Sequence, residues 1–170
     1  MPHEFATIGE FISHLRGWVL PSLKEAVHTG VKDGADLIKE EAKAELGRYQ
    51  DAAGSFPAWA ELADSTKEDR LRQGYPENEP GLRSGGMRDS YESRVSPIGL
   101  RVDASIGSDD IKAVAFEEGR DNQSARPVLS GAAFRNEEKV ARGIGRMVVR
   151  AIEGKPMPNR SATEDDEAPA

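Results

Sequence analysis

The stretch YESRVSPIGLRVDASIGSDDIKAVAFEE, residues 91–118, is where the pattern of the chain changes. Tyr91, Ser93 and Val95 alternate with polar neighbours, as do Leu100, Val102, Ala104 and Ile106, and a period of two belongs to a strand with one buried face. Ile111 to Phe116 forms a third short apolar run. Pro97-Ile98-Gly99 separates the first two runs and Gly107-Ser108-Asp109-Asp110 the last two. Connections this short predict an antiparallel meander of three or more strands.

On both sides of this stretch the period is helical. From Phe5 to about Leu46 the residues Ile8, Ile12, Leu15, Val19, Leu23, Val27, Val31, Ala35, Ile38 and Ala42 recur at steps of three or four, an amphipathic stripe. Pro21 has no amide proton and its ring crowds the preceding turn, so a kink or a split into two helices is expected near Leu20. Gly30 and Gly34, four residues apart, leave room for a second helix to approach closely; the plainer reading makes them tolerated surface glycines, at about 1 kcal/mol each relative to Ala. A second helix is predicted from about Ala132 to Glu153, with Phe134, Val140, Ile144, Val148 and Ile152 on one face, stopped by Gly154-Lys155-Pro156. Helices flanking a small antiparallel sheet make an α+β fold, the sheet packed against a long N-terminal helix and a C-terminal helix.

The length of 170 residues suits one domain. We expect a single α+β structural domain over 1–154, made of an N-terminal helical region (1–47), a polar excursion (48–86), a sheet (87–129) and a C-terminal helix (130–154), followed by a disordered acidic tail (155–170). Within the excursion Ser65 and Glu68 have the spacing of a capping box. Trp59, Leu62 and Leu71 are expected to anchor that excursion to the core, and Gly74 to Gly81 to form an exposed loop.

Thirty acidic against 23 basic residues give a net charge of −7. Residues 155–170 hold Glu164, Asp165, Asp166 and Glu167 against Lys155 and Arg160, which leaves −5 on residues 1–154. Affinity for duplex DNA comes largely from Lys and Arg neutralising phosphates, so this balance argues against a DNA clamp, though it suits a channel through which DNA slides. The absence of cysteine removes disulfides, thiolate metal sites and a cysteine nucleophile. No run approaches the roughly 18 apolar residues that span a bilayer, and the N-terminus lacks the plan of a signal peptide. A soluble protein made in a cytoplasm is expected.

No set of residues converges on a reaction. His3, His14 and His28 lie in the N-terminal region, the last two 14 residues apart, too far to share a metal within one helix. Glu40-Glu41 and Glu137-Glu138 fall on helices, where adjacent side chains diverge. Glu117 and Glu118 are expected to end a strand before Gly119, as a polar strand end or, in a competing reading, as the carboxylates of a small hydrolase together with Asp110. Gly143-Ile144-Gly145 lies inside the helical pattern and lacks the third glycine of a nucleotide-binding loop. Arg83, Arg88 and Arg94 form one basic group and Arg120, Arg126 and Arg135 another, suited to phosphate or, in so acidic a chain, to carboxylates of a neighbouring subunit.

Residues 80–91, Pro-Gly-Leu-Arg-Ser-Gly-Gly-Met-Arg-Asp-Ser-Tyr, resemble the signature of the phage virion-morphogenesis and tail-completion (head-tail joining, neck) proteins, through Leu82, Ser84, Gly85, Met87 and Ser90. Upstream, Trp59, Leu62 and Thr66 are similar to the residues that precede that signature. Downstream, Ile106-Gly107-Ser108 resembles a strand end of the family, Ala113 to Glu117 with Gly119 its next strand, and Ala125 to Leu129 the approach to its last helix. The likeness covers roughly residues 56–152. Lys112, Glu118 and Val128 depart from the family pattern.

The resemblance implies a virion structural protein of a tailed bacteriophage, a subunit of a homo-oligomeric ring, often of six copies, between the capsid connector and the tail tube or at the tube end as a tail terminator. Connector, stopper and tail tube proteins are then its partners and DNA only passes through as cargo. No catalysis, cofactor, metal or membrane is implied, and the protein would sit in the virion, at the head-tail junction or tail end, after assembly in the host cytoplasm. Arg83, Arg88, Arg126, Glu117 and Glu118 are the candidate residues of the subunit interface. A helical adaptor, pairing through residues 5–46 alone, is a further alternative.

Overall fold

The computed structural model describes residues 4–99, 101–120 and 122–156. The chain runs α1 (Ile8–His14), a π-helical turn (Leu15–Val19), α2 (Leu20–Glu45), α3 (Asp64–Arg72), the single turn α4 (Gly86–Asp89), β1 (Tyr91–Ile98), β2 (Arg101–Ser108), α5 (Ile111–Glu118) and α6 (Leu129–Ile152). The fold is α+β, with the long N-terminal and C-terminal helices that the periodicity predicts. The expected acidic tail falls almost wholly outside the described residues, as does His3.

Pro21 does not split the N-terminal helix. Val19 and Leu20 keep right-handed helical dihedrals, and the Leu20 amide donates to the Leu15 carbonyl, five residues back. Widening the turn before a proline relieves the crowding of its ring against the preceding carbonyls. Ser22 Oγ then donates to the Trp18 carbonyl at 2.9 Å.

α2 and α6 pack antiparallel along most of their length, and the glycines set the approach. A Cβ on Gly34 would stand 2.6 Å from Val140 Cγ1, and one on Gly30 would stand 3.1 Å from the backbone of Ile144. Gly30 and Gly34 are buried contact points for α6, so the surface-glycine reading is replaced by the close-approach one. Ala26, Met147 and Ala151 continue the seam toward the other end.

The sheet has two strands, not three or more. β1 and β2 pair antiparallel, Tyr91 opposite Ser108 and Ile98 opposite Arg101. The expected third strand is helix α5, and Glu117 and Glu118 therefore end a helix. Asp110 caps it, its carboxylate accepting the Lys112 amide at 2.9 Å, and Gly119 with φ +78° terminates it. A two-stranded hairpin is marginal alone. Here it lies on α2, where Ser93 Oγ donates to Asp36 Oδ1 at 2.7 Å. Lys32, Ser93 and Lys39 hold the Asp36 carboxyl well below its ordinary range, against the opposing effect of burial.

The main core gathers Ala42, Leu46, Trp59, Met87, Tyr91, Ala113, Val128 and Ala132. Trp59 and Leu62 anchor the excursion as expected, but Leu71 is 55% exposed. The anchor from α3 is Arg70, 4% exposed, which donates to the carbonyls of Pro76 and Leu82 at 2.7 and 2.6 Å. The end of the Gly74–Gly81 loop is likewise inside: Pro80 is fully buried, and Gly81, at φ +73°, is too close to Leu46 for any side chain of its own. α3 forms without the capping box, since its N-cap is Ala63 and Ser65 lies within the helix.

Candidate functional site

Residues 80–91 build a corner. Gly85, at φ +85°, starts the turn α4; Met87 drops into the core; Ser90 Oγ bonds the Met87 carbonyl at 2.7 Å and Ser108 Oγ at 2.6 Å, tying the root of β1 to the end of β2. Leu82 packs on the main core. Each signature position except Ser84 thus has a part in this corner.

The candidate interface residues separate into two groups. Arg126 is 4% exposed: its guanidinium donates from Nε and Nη2 to the Ala60 carbonyl at 3.0 and 2.8 Å and from Nη2 to that of Glu61 at 2.9 Å, and it lies 5.6 Å from the Phe116 ring centre. Burial lowers its pKa, yet three hydrogen bonds to carbonyls fix the cation in place. Glu117 is also turned inward. Its carboxylate accepts the amides of Val128, Leu129 and Ser130 at 2.8, 2.9 and 2.9 Å and the Ser130 hydroxyl, so it caps α6, whose own N-cap, Val128, has no side chain able to do so. Arg126 and Glu117 are therefore internal clamps rather than free interface groups, because each is consumed by backbone that would otherwise lack a partner.

Arg83, Arg88 and Glu118 stay at the surface. Arg83 pairs with Asp69 at 2.8 Å over the Tyr75 ring, and this pairing lowers the Asp69 pKa. Arg88 pairs with its neighbour Asp89 at 3.0 Å, and Glu118 is exposed. Arg94 pairs with Glu92 out on the hairpin. Arg135 reaches back to Glu45, a carboxyl whose pKa burial raises against the pull of that arginine. Of the carboxylates of the hydrolase reading, Asp110 caps α5, Glu117 caps α6, and Glu118 faces solvent.

Two surfaces remain unaccounted for. The first is a cleft of about 650 Å³ between α3, the 81–87 corner and α5. Arg70, Arg83, Lys112, Arg120 and Arg126 line it against one acid, Glu61. Arg70 and Arg126 are spent on carbonyls, whereas Arg120 is exposed and has no ion pair among the described residues, and Lys112 stands 3.9 Å from Asp110. In a chain of charge −7 the lining of this cleft is richer in basic than in acidic residues.

The second surface is the N-terminal end of the long helix. α1 and the π turn bury no residue at all. Ile8 is 78% exposed, and Phe11, Ile12, Trp18 and Leu20 are also exposed. Trp18 lies over Gly154, which brings the end of α6 alongside, and Val149 and Ile152 of α6 are exposed there as well. The apolar stripe thus runs on past the point where α6 covers it.

No group of three or more metal-ligating side chains and no helix long and apolar enough to cross a membrane occurs among the described residues. No family model, curated protein or solved structure matches the chain.

Proposed function

We propose that this chain is a structural subunit of a tailed-phage virion, a tail-completion or head-tail joining protein that assembles with copies of itself into a ring between the capsid connector and the tail tube. The observation that carries the self-assembly is the apolar face of residues 5–20, continued by Val149 and Ile152, which the subunit leaves to solvent. Apolar side chains clustered at one end of a helix pair mark a surface that is covered in the working state. A rotational assembly covers it with one repeated heterologous contact and gives the open edges of the β1–β2 hairpin a neighbour. The phage assignment rests on the ordered resemblance across residues 56–152, within which Ala113 to Glu117 is a helix where the family pattern has a strand. The net acidic surface suits a passage that DNA crosses without adhering.

Electron microscopy of the purified protein tests the reading. Closed rings with a central opening are the expected result; particles of one subunit at every concentration would overturn it. Turnover by such a lone subunit, abolished by one carboxylate substitution, would favour the hydrolase.

The same exposed face favours a second reading, a helical adaptor that docks on a different protein. Removing the whole region before Gly47 does not separate the two, because Ala42 and Leu46 belong to the core. Removing residues 1–19 alone does: ring formation that survives this deletion excludes the N-terminal face as the ring contact.

A further inference from the structure

We infer that the basic cleft is a socket for the acidic C-terminal stretch Glu164-Asp165-Asp166-Glu167 of a neighbouring copy, an inference that rests on the self-assembly reading above. Charge complementarity is the first argument. The four acids are the densest negative run in the chain. Of the five cations that line the cleft, Arg70 and Arg126 are buried on backbone carbonyls but keep their charge, and Arg83 is paired with Asp69. Arg120 and Lys112, the latter 3.9 Å from Asp110, are the two exposed ones a carboxylate can reach. Asp121, next to Arg120, lies outside the described residues. Carboxylates in a row are matched by guanidinium and ammonium groups around a partly enclosed wall, where water screens the attraction less than on an open surface.

Reach decides which copy supplies the acids. Arg150 pins the Pro156 carbonyl with Nε at 3.1 Å and Nη2 at 2.8 Å, so the tail departs from the C-terminal end of α6. The cleft lies beyond the opposite end, where Arg126 precedes the first residue of α6 by three positions. The 24 residues of α6 separate the two ends by about 36 Å. From Pro156 to Glu164 a fully extended chain covers at most about 29 Å. Fully extended, the subunit's own Glu164 stops short of the cleft, and Glu167, at about 40 Å, only just spans the helix. Its four acids therefore do not sit in the cleft together, whereas a neighbouring copy's tail starts from a different point. An exchanged tail also strengthens a ring by making each attachment local once the subunits are in contact.

The chain has no cysteine, so an introduced pair reports on this contact without background. In the full-length protein carrying Ser124→Cys and Asp165→Cys, mild oxidation should give disulfides between copies, seen as a ladder on a non-reducing gel. A disulfide within one copy, or none in an assembled sample, would overturn the inference. The mass of the same unoxidised sample shows whether the ring stands, so loss of the tail contact is distinguishable from loss of the assembly. A synthetic peptide of residues 157–170, added in excess to the full-length protein, supplies the second arm. Binding should weaken by about tenfold or more in the Lys112→Glu, Arg120→Glu double variant and fall as salt rises. Equal binding by the variant, no binding at all, or occupation by inorganic phosphate that the peptide does not displace would each overturn it.

Discussion

The two halves of the N-terminal helical rod carry the same apolar period and meet opposite fates. From Ala26 to Leu46 the stripe is covered: α6 lies against Gly30 and Gly34, the hairpin against Asp36, and the main core against Ala42 and Leu46. From Ile8 to Leu20 it is open, and the π turn before Pro21 marks the boundary. Periodicity therefore reports that a face is apolar, and not what covers it. In the covered half, small residues let another helix of the same chain come close; in the open half, large ones project where that helix ends.

The clamps that hold the covered half should give the largest effects. Arg126→Ala should remove three charged hydrogen bonds to buried carbonyls and cost about 3 kcal/mol in urea unfolding, with the 59–62 segment released first in hydrogen exchange. Gly34→Leu should cost about 2–3 kcal/mol, because its first carbon already meets Val140 at 2.6 Å. Gly17, in the open half, has nothing within 4 Å of an added Cβ, so Gly17→Ala should be neutral or stabilise by up to about 1 kcal/mol. If both glycines respond alike, the difference between the halves is not one of packing. Glu117→Gln should cost about 1–2 kcal/mol by weakening the cap on α6.

The smallest effect is on pH dependence. Asp36 is depressed in the folded state below its ordinary value of 3.8. Its contribution is complete above that value and is lost as pH falls through and below it toward the folded pKa. Acid titration of the wild type should show a loss of stability below about pH 4 that the Asp36→Asn variant lacks in part. Superimposable curves would show that the Lys32, Lys39 and Ser93 contacts to Asp36, the last of which ties the hairpin to α2, do not stabilise the fold.

Much of the fold was legible because it depends on local pattern. The helical stripes around Ile12 and Ile144 and the alternation from Tyr91 to Ile106 each show their period within a few turns or residues. Helix α5 reads as a strand in the sequence because six apolar-rich residues between turn signals fit strand or helix equally well. Asp110 before Ile111 and Gly119 after Glu118 were the cap signals that distinguish them. The roles of Arg126 and Glu117 were not legible, because their partners, Ala60 and the start of α6, lie 66 and 11 or more residues away and are backbone groups with no sequence signature. Arg70 and the cleft likewise appear only when α3, the corner and α5 are brought together.

The most direct test of the central claim is the sedimentation mass of the full-length chain beside its Ile8→Glu, Ile12→Glu double variant. The wild type should sediment as a discrete oligomer and the variant as a folded single subunit with unchanged helical signal and urea midpoint. A wild type of single-subunit mass at every concentration, or a variant that assembles as well as the wild type, would contradict it.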